Sequence, residues 1–173
     1  KQVLSEYEPC LIKEYSRLML NKFGLKANVN SATQNSEIVN DWLALLAEEK
    51  QDFTLSFRLL CDFSMQGENH KLRDSFTNRE KFDAWSTHYS MALDQQGLAE
   101  QERQTRMKQA NPKIILRNYL AQQAIEQAEE GDFTFMQNFL KALADPYADH
   151  PEYEHFSLPP PKWGKDLEIS CSS

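Results

Sequence analysis

The sequence predicts an all-α protein: a helical, bundle-like body with an extended Pro- and aromatic-rich tail and no confident β-sheet. Three observations predict it. Only five glycines occur in 173 residues. Between Cys10 and Asp145 Pro112 is the single proline, in a stretch rich in Leu, Ala, Gln, Glu and Lys, so little there interrupts a helical backbone ladder. Apolar residues also recur at spacings of three and four, and no segment alternates apolar and polar residues for the length of a strand.

The elements follow in order. Leu11, Tyr15, Leu18, Met19 and Phe23 share one face of a first helix, which begins or kinks at Pro9 and stops at Gly24. Polar residues 28–35 separate it from a second helix over 36–51, with Ile38, Val39, Trp42, Leu45 and Leu46 inward. Asp52 is the expected N-cap of a third, carrying Phe53, Phe57, Leu60 and Cys61. Residues 66–75 read as a polar loop around Gly67. Thr77-Asn78-Arg79-Glu80 fits a capping box and opens a fourth helix, which carries Phe82, Trp85, Tyr89 and Leu93 and closes at Gly97. A charged helix over 98–109 holds Met107 inward, Asn111-Pro112 restarts the chain, and another runs from 114 to 130. Gly131 ends that helix, and Asp132 caps a last one through Leu143.

The division expected is a helical domain over 1–144 and a tail over 145–173. The tail holds five of the seven prolines, with two lysines against six acids. Proline at that density favours extended chain, yet Tyr147, Tyr153, Phe156 and Trp163 are too many aromatics for a solvated segment. The tail is therefore expected to lie on the helices.

Composition narrows the function. Hydrophobic residues make up 40% and charged residues 26%, with a net charge of −7, which argues against a nucleic-acid binder and its clustered basic footprint. The longest apolar run is Trp42 to Ala47, against the roughly 20 residues that span a bilayer. Neither nucleic acid nor membrane is an expected partner. Three widely spaced cysteines form neither a disulfide framework nor a zinc ribbon and point to a reducing, cytoplasmic setting. The chain begins at Lys1 rather than Met, so it is read as a piece of a longer protein.

Few motifs carry chemistry. No Gly-rich phosphate loop is present. Asp62-Phe63-Ser64 resembles the metal-binding Asp-Phe-Gly of kinases but lacks the glycine. His150 and His155, with Asp149 and Glu154, form a conceivable metal cluster, although their spacing in a proline-rich segment favours an ordinary polar tail. His88 reads as a satisfied or surface histidine. Arg117 and Asn118, amid Ile115, Leu116, Tyr119 and Leu120, suit a structural ion pair or helix-end contact better than a ligand site. Cys10 and Cys61 read as small buried hydrophobes. Cys171, third from the C-terminus, is open to exchange, and composition leaves a redox role and accident evenly balanced.

The blocks Asn111-Pro112-Lys113, Leu116-Arg117-Asn118-Tyr119-Leu120-Ala121-Gln122, Ala124-Ile125, Gly131-Asp132-Phe133 and Asp145-Pro146-Tyr147 resemble the selenoprotein O family. So does the ending Leu167 to Ser173, and Met19, Lys22 to Leu25, Asp52-Phe53-Thr54 and Phe57-Arg58 agree more weakly. The family's animal members carry selenocysteine at the position of Cys171, so cysteine there suggests a bacterial member. The resemblance implies a protein adenylyltransferase on an atypical protein-kinase fold, using ATP with Mg2+ or Mn2+ to transfer AMP to Ser, Thr or Tyr hydroxyls of protein substrates. It further implies that this chain is the C-terminal region, whose partner is the kinase-like N-terminal part. No catalytic, cofactor-binding or metal residue maps onto it. The position that does map is Cys171, the family's redox site, whose partner cysteine lies in the kinase core. A large exposed apolar patch would mark where that core docks. The alternative from another class is a free-standing helical interaction module without enzymatic activity.

Overall fold

The computed structural model describes residues 2–27, 29–165 and 167. Among these, eight α-helices and three short 3-10 turns account for the regular structure, with no strand. The helices are α1 (Gln2–Lys22), α2 (Ala32–Glu48), α3 (Phe53–Leu60), α4 (His70–Arg73), α5 (Arg79–Gln96), α6 (Glu100–Ala110), α7 (Asn118–Glu129) and α8 (Thr134–Ala144). The all-α expectation holds. Two compact units divide the chain, residues 1–111 and 112–173, so the packing boundary falls at Asn111 rather than where helical content ends.

The first unit contains α1 to α6 around an aromatic centre. Phe23, Trp42, Phe57, Phe76, Phe82, Trp85 and Tyr89 are all buried, with the Trp42 and Trp85 rings 4.4 Å apart and Phe23 edge-on to Phe57 at 5.2 Å. Ring pairs in offset and edge geometry add about 0.5–1.5 kcal/mol each beyond the area they bury. Two of the polar ring ends find partners: Trp85 Nε1 donates to the Ile38 carbonyl at 3.0 Å and Tyr89 Oη to that of Phe23 at 2.7 Å, whereas the buried Trp42 Nε1 has no partner among the described residues.

The chain's stops are where glycine permits them. Gly24, Gly97 and Gly131 have φ of 65°, 61° and 89° and follow α1, α5 and α7. Asp52 caps α3 as expected, its carboxylate accepting from Leu55 N at 2.8 Å. Asp132 accepts from Thr134 N at 2.8 Å, one residue outside the α8 N-cap. The helix that contains Pro9 passes through it rather than beginning there.

Four local expectations are corrected. The Thr77–Glu80 capping box does not form: the N–H groups of Thr77 and Asn78 donate to Glu49 at 2.9 and 3.1 Å, and Asn78 caps α5 by accepting from Lys81 N. Residues 32–35, read as linker, are the first turn of α2, and Asn35 is buried within it. The polar loop over 66–75 contains α4, whose Leu72 reaches the core. The turn into it is set by Asn69 in the left-handed region at φ 50°, its amide bonded to Ser64 and Gly67. Residues 114–117 precede α7 instead of starting it, because the N–H groups of Lys113 and Ile114 donate to the Pro146 carbonyl at 2.7 and 3.2 Å.

In the second unit, α7, α8 and the tail share a small core of Ile114, Tyr119, Leu120, Phe139, Ala142 and Phe156. The tail supplies Phe156, fully buried and ringed by Phe135 at 5.2 Å and Phe139 at 4.9 Å. A 3-10 turn over Pro151–Ser157 brings it in, and a second over Lys162–Gly164 follows the triple proline.

Candidate functional site

The sequence directs attention to the C-terminal cysteine, and Cys171 lies outside the described residues. What the structure describes is the clamp that leads to it. Tyr119, in the first turn of α7, donates its hydroxyl to the Leu158 carbonyl at 3.0 Å and meets the Trp163 ring edge-on at 6.2 Å. Gly164 crosses directly over Tyr119, where an added Cβ would come within 2.7 Å of the Tyr119 Cβ. Asn118 Nδ2 then donates to the carbonyl of Leu167 at 2.9 Å. Cys171 is four residues on from Leu167, so chain length alone keeps its Cα within about 14 Å of that anchor.

The conceivable metal cluster is used otherwise. Lys113 Nζ, only 15% exposed as a side chain, contacts Asp149 at 3.2 Å and Glu154 at 2.5 Å. Burial opposes the Lys113 charge, but the two carboxylates outweigh it and raise its pKa. His150 Nε2 sits 3.1 Å from the Asp145 carbonyl oxygen, and the ring of the exposed His155 lies 4.0 Å from that of Phe156, tilted by 47°. No group of three or more metal-ligating side chains converges among the described residues.

Asp62-Phe63-Ser64 is also structural. Asp62 pairs with Lys108 at 2.8 Å, Phe63 is buried, its carbonyl accepts from the Arg103 guanidinium, and Ser64 N donates to Asn69 Oδ1. His88 is at the surface. Arg117 immediately precedes α7, its carbonyl accepting from Leu120 and Ala121 at 3.0 Å each. Cys61 is fully buried, and burial pushes its thiol pKa up, which removes thiolate reactivity. Cys10, expected to be buried, is exposed on α1 because the face it occupies has no neighbour.

Two features escape sequence reading. Arg103 is 1% exposed, with its guanidinium toward Phe63 O, Met107 Sδ at 3.0 Å and Tyr89 Oη at 3.5 Å; in a helix this charged it reads as surface. Asn111 ties two helix ends together: Nδ2 donates to the carbonyls of Lys22 at 2.9 Å and Met107 at 3.0 Å, while Lys22 Nζ reaches Ala110 O and Asn111 Oδ1. Arg58 reinforces the same corner by donating to the Lys108 and Asn111 carbonyls. The signal was the Asn-Pro pair itself, whose role is this corner.

Residues 1–144 match the family described as protein adenylyltransferase SelO. Protein nucleotidyltransferase YdiU of Pseudoalteromonas atlantica is 48% identical over 174 residues, covering 100% of this chain and 35% of that protein. Proteins of the same name are 45% identical in Vibrio cholerae and 42% in Yersinia pseudotuberculosis, each over 98% of this chain and 35% of the relative. The chain thus spans about a third of the length of the curated relatives it matches. Agreement at this level from one end of the chain to the other has one explanation, common descent: this protein belongs to the SelO family of protein adenylyltransferases.

Proposed function

We propose that this chain is the C-terminal helical region of a longer protein adenylyltransferase, which transfers AMP from ATP to hydroxyls of protein substrates. The observation that carries this reading is similarity along essentially the whole of this chain to about a third of the length of proteins that bear the nucleotidyltransferase name. ATP with Mg2+ or Mn2+ would supply the activated phosphoryl group and its charge neutralisation, and both require positioned cations and acids. The carboxylates described above are committed to ion pairs and backbone caps, as in Lys113 with Asp149 and Glu154 and in Glu49 with Thr77. That commitment supports placing the nucleotide and metal groups in the kinase-like remainder of the protein, with this region bracing it. Free thiols at Cys10 and Cys61 suit a bacterial cytoplasm.

In this reading Cys171 is the regulatory element. Tethered by Asn118 and Tyr119, it can form a disulfide with a cysteine whose Cα lies within about 20 Å of Leu167, the sum of the tether and a normal Cα separation. AMP transfer by the full-length enzyme, measured with labelled ATP under oxidising and reducing conditions, tests it. Wild type responds to redox state and Cys171→Ser does not. An unchanged response in the variant removes the regulatory role, and micromolar ATP binding by the 173-residue chain alone removes the division of labour.

A further inference from the structure

α1 has a covered half and an uncovered half. At 100° per residue, Tyr7, Leu18, Leu11, Tyr15, Met19, Ile12 and Phe23 fall in sequence across an arc of about 160°, wider than the roughly 100° that suffices for a core-facing helix. Met19 and Phe23, near the C-terminus, are buried in the core of the first unit. The other five are not: Tyr7, Leu11, Ile12, Tyr15 and Leu18 are between 48% and 64% exposed. Lys13, Glu14 and Arg17 lie on the opposite arc, with Arg17 paired to Glu14. This is a helix built to bury both ends of one stripe, with one end covered.

The uncovered end runs into a groove between α1 and α2. It has a volume of about 570 Å³ and is lined by Ile12, Tyr15, Met19, Ala32, Asn35 and Val39 among others. Asn35 is 2% exposed; its Nδ2 donates to Lys26 O and Ser31 Oγ, and its Oδ1 has no partner among the described residues. The groove is therefore mostly apolar, with Ser16, Ser36 and Asn40 also in its lining and the Asn35 Oδ1 acceptor left over at its wall.

Three observations choose the occupant. The curated relatives are about three times as long as this chain, so a large body of polypeptide belongs beside it. The five uncovered side chains amount to on the order of 500 Å² of largely apolar surface, the size of the largest patch a monomer normally shows. That is well below the roughly 800 Å² per partner of a stable interface between separate molecules. A tethered segment needs no such area, because its effective concentration is set by the connecting chain.

We infer that the α1 stripe and the α1–α2 groove are the seat of a segment from the part of the same full-length polypeptide that lies outside residues 1–173, presenting apolar side chains and a hydrogen-bond donor near Asn35. This goes beyond the proposed function by locating the surface, and it rests on that reading only for the existence of the longer chain. Neither ATP nor AMP transfer enters it.

Photo-crosslinking in the full-length protein tests it. p-Benzoylphenylalanine replaces Tyr15 in one sample and Lys13, on the opposite arc, in another; each is irradiated as a dilute solution and digested for mass spectrometry. The expected result is a crosslink from position 15 to a peptide outside residues 1–173, in the monomer-mass band, at least about tenfold more abundant than from position 13. A dimer-mass band joining two copies overturns the inference in favour of self-association. Crosslinks confined to residues 1–173, or equal yields at the two positions, overturn it by showing the stripe to be open to solvent. If the expected crosslink forms in a protein that transfers no AMP, the docking surface stands and the proposed function falls.

Discussion

Gly24 offers a test of how tightly the first unit is packed. It has φ of 65°, and a Cβ built there would lie 2.6 Å from Arg103 Cγ and 2.9 Å from Met107 Cγ and Sδ. Both neighbours are side chains of α6 that are essentially unexposed, so neither can swing into solvent. Gly97 has nearly the same φ, 61°, and nothing within 4 Å of its ideal Cβ. Alanine at either position incurs the left-handed cost of about 1–2 kcal/mol. Only Gly24→Ala adds an overpacking term of about 1–3 kcal/mol. The difference between the two variants thus isolates the steric contribution and cancels the conformational one. Urea unfolding followed by tryptophan fluorescence reads the right unit, since Trp42 and Trp85 are buried there while Trp163 is already 55% exposed. At a slope of about 2 kcal/mol per molar urea, the Gly24→Ala midpoint should fall roughly 0.5–1.5 M below that of Gly97→Ala. Equal midpoints would refute the reasoning, because they would mean that Arg103 and Met107 yield without cost.

Two further predictions concern surface charge and the tail. The Arg73 guanidinium, hydrogen-bonded to Asp83 at 2.7 Å on both oxygens, holds the Asp83 carboxyl below its usual range. The folded value is lower than the unfolded one, so the unfolded chain binds more protons. The pair's contribution is then complete above the unfolded value, near pH 4, and disappears as pH falls through the lower folded value. Asp83→Asn should therefore flatten the acid limb of a stability-versus-pH curve and leave the neutral-to-alkaline part parallel to wild type; an unchanged acid slope counts against the pair. Phe156→Ala should destabilise the second unit by about 3–5 kcal/mol and open the tail to limited proteolysis at residues 158–165 while the first unit resists. A variant whose tail is cut no faster than wild type would show that Phe156 does not anchor it.

What the sequence determined by itself was local. Glycines in the left-handed region end three helices, Asp52 caps a fourth, and the Phe82-Trp85-Tyr89 spacing gives α5 its buried face, because each depends on groups within about four residues. The number of α-helices was legible for the same reason; among them only the single turn of α4 was missed, since four residues carry no period, while the 3-10 turns over Pro151–Ser157 and Lys162–Gly164 replace part of the extended chain expected of the tail. Periodicity also showed that α1 has an apolar stripe, but not what covers it: Met19 and Phe23 found neighbours, while Leu11, Tyr15 and Leu18 did not. Tertiary structure alone decided the pairings between distant residues. Glu49 reaches Thr77 across 28 residues and displaces Glu80 from the expected cap; Lys113 takes Asp149 and Glu154 away from any metal; Asn118 holds Leu167 ahead of Cys171. Arg103 is buried because α6 is enclosed on the side that faces Tyr89 and Phe63, which a helix with charge on nearly every turn does not announce. A local signal is satisfied by its own backbone, whereas a charge or an amide chooses among partners that only packing brings within 3 Å.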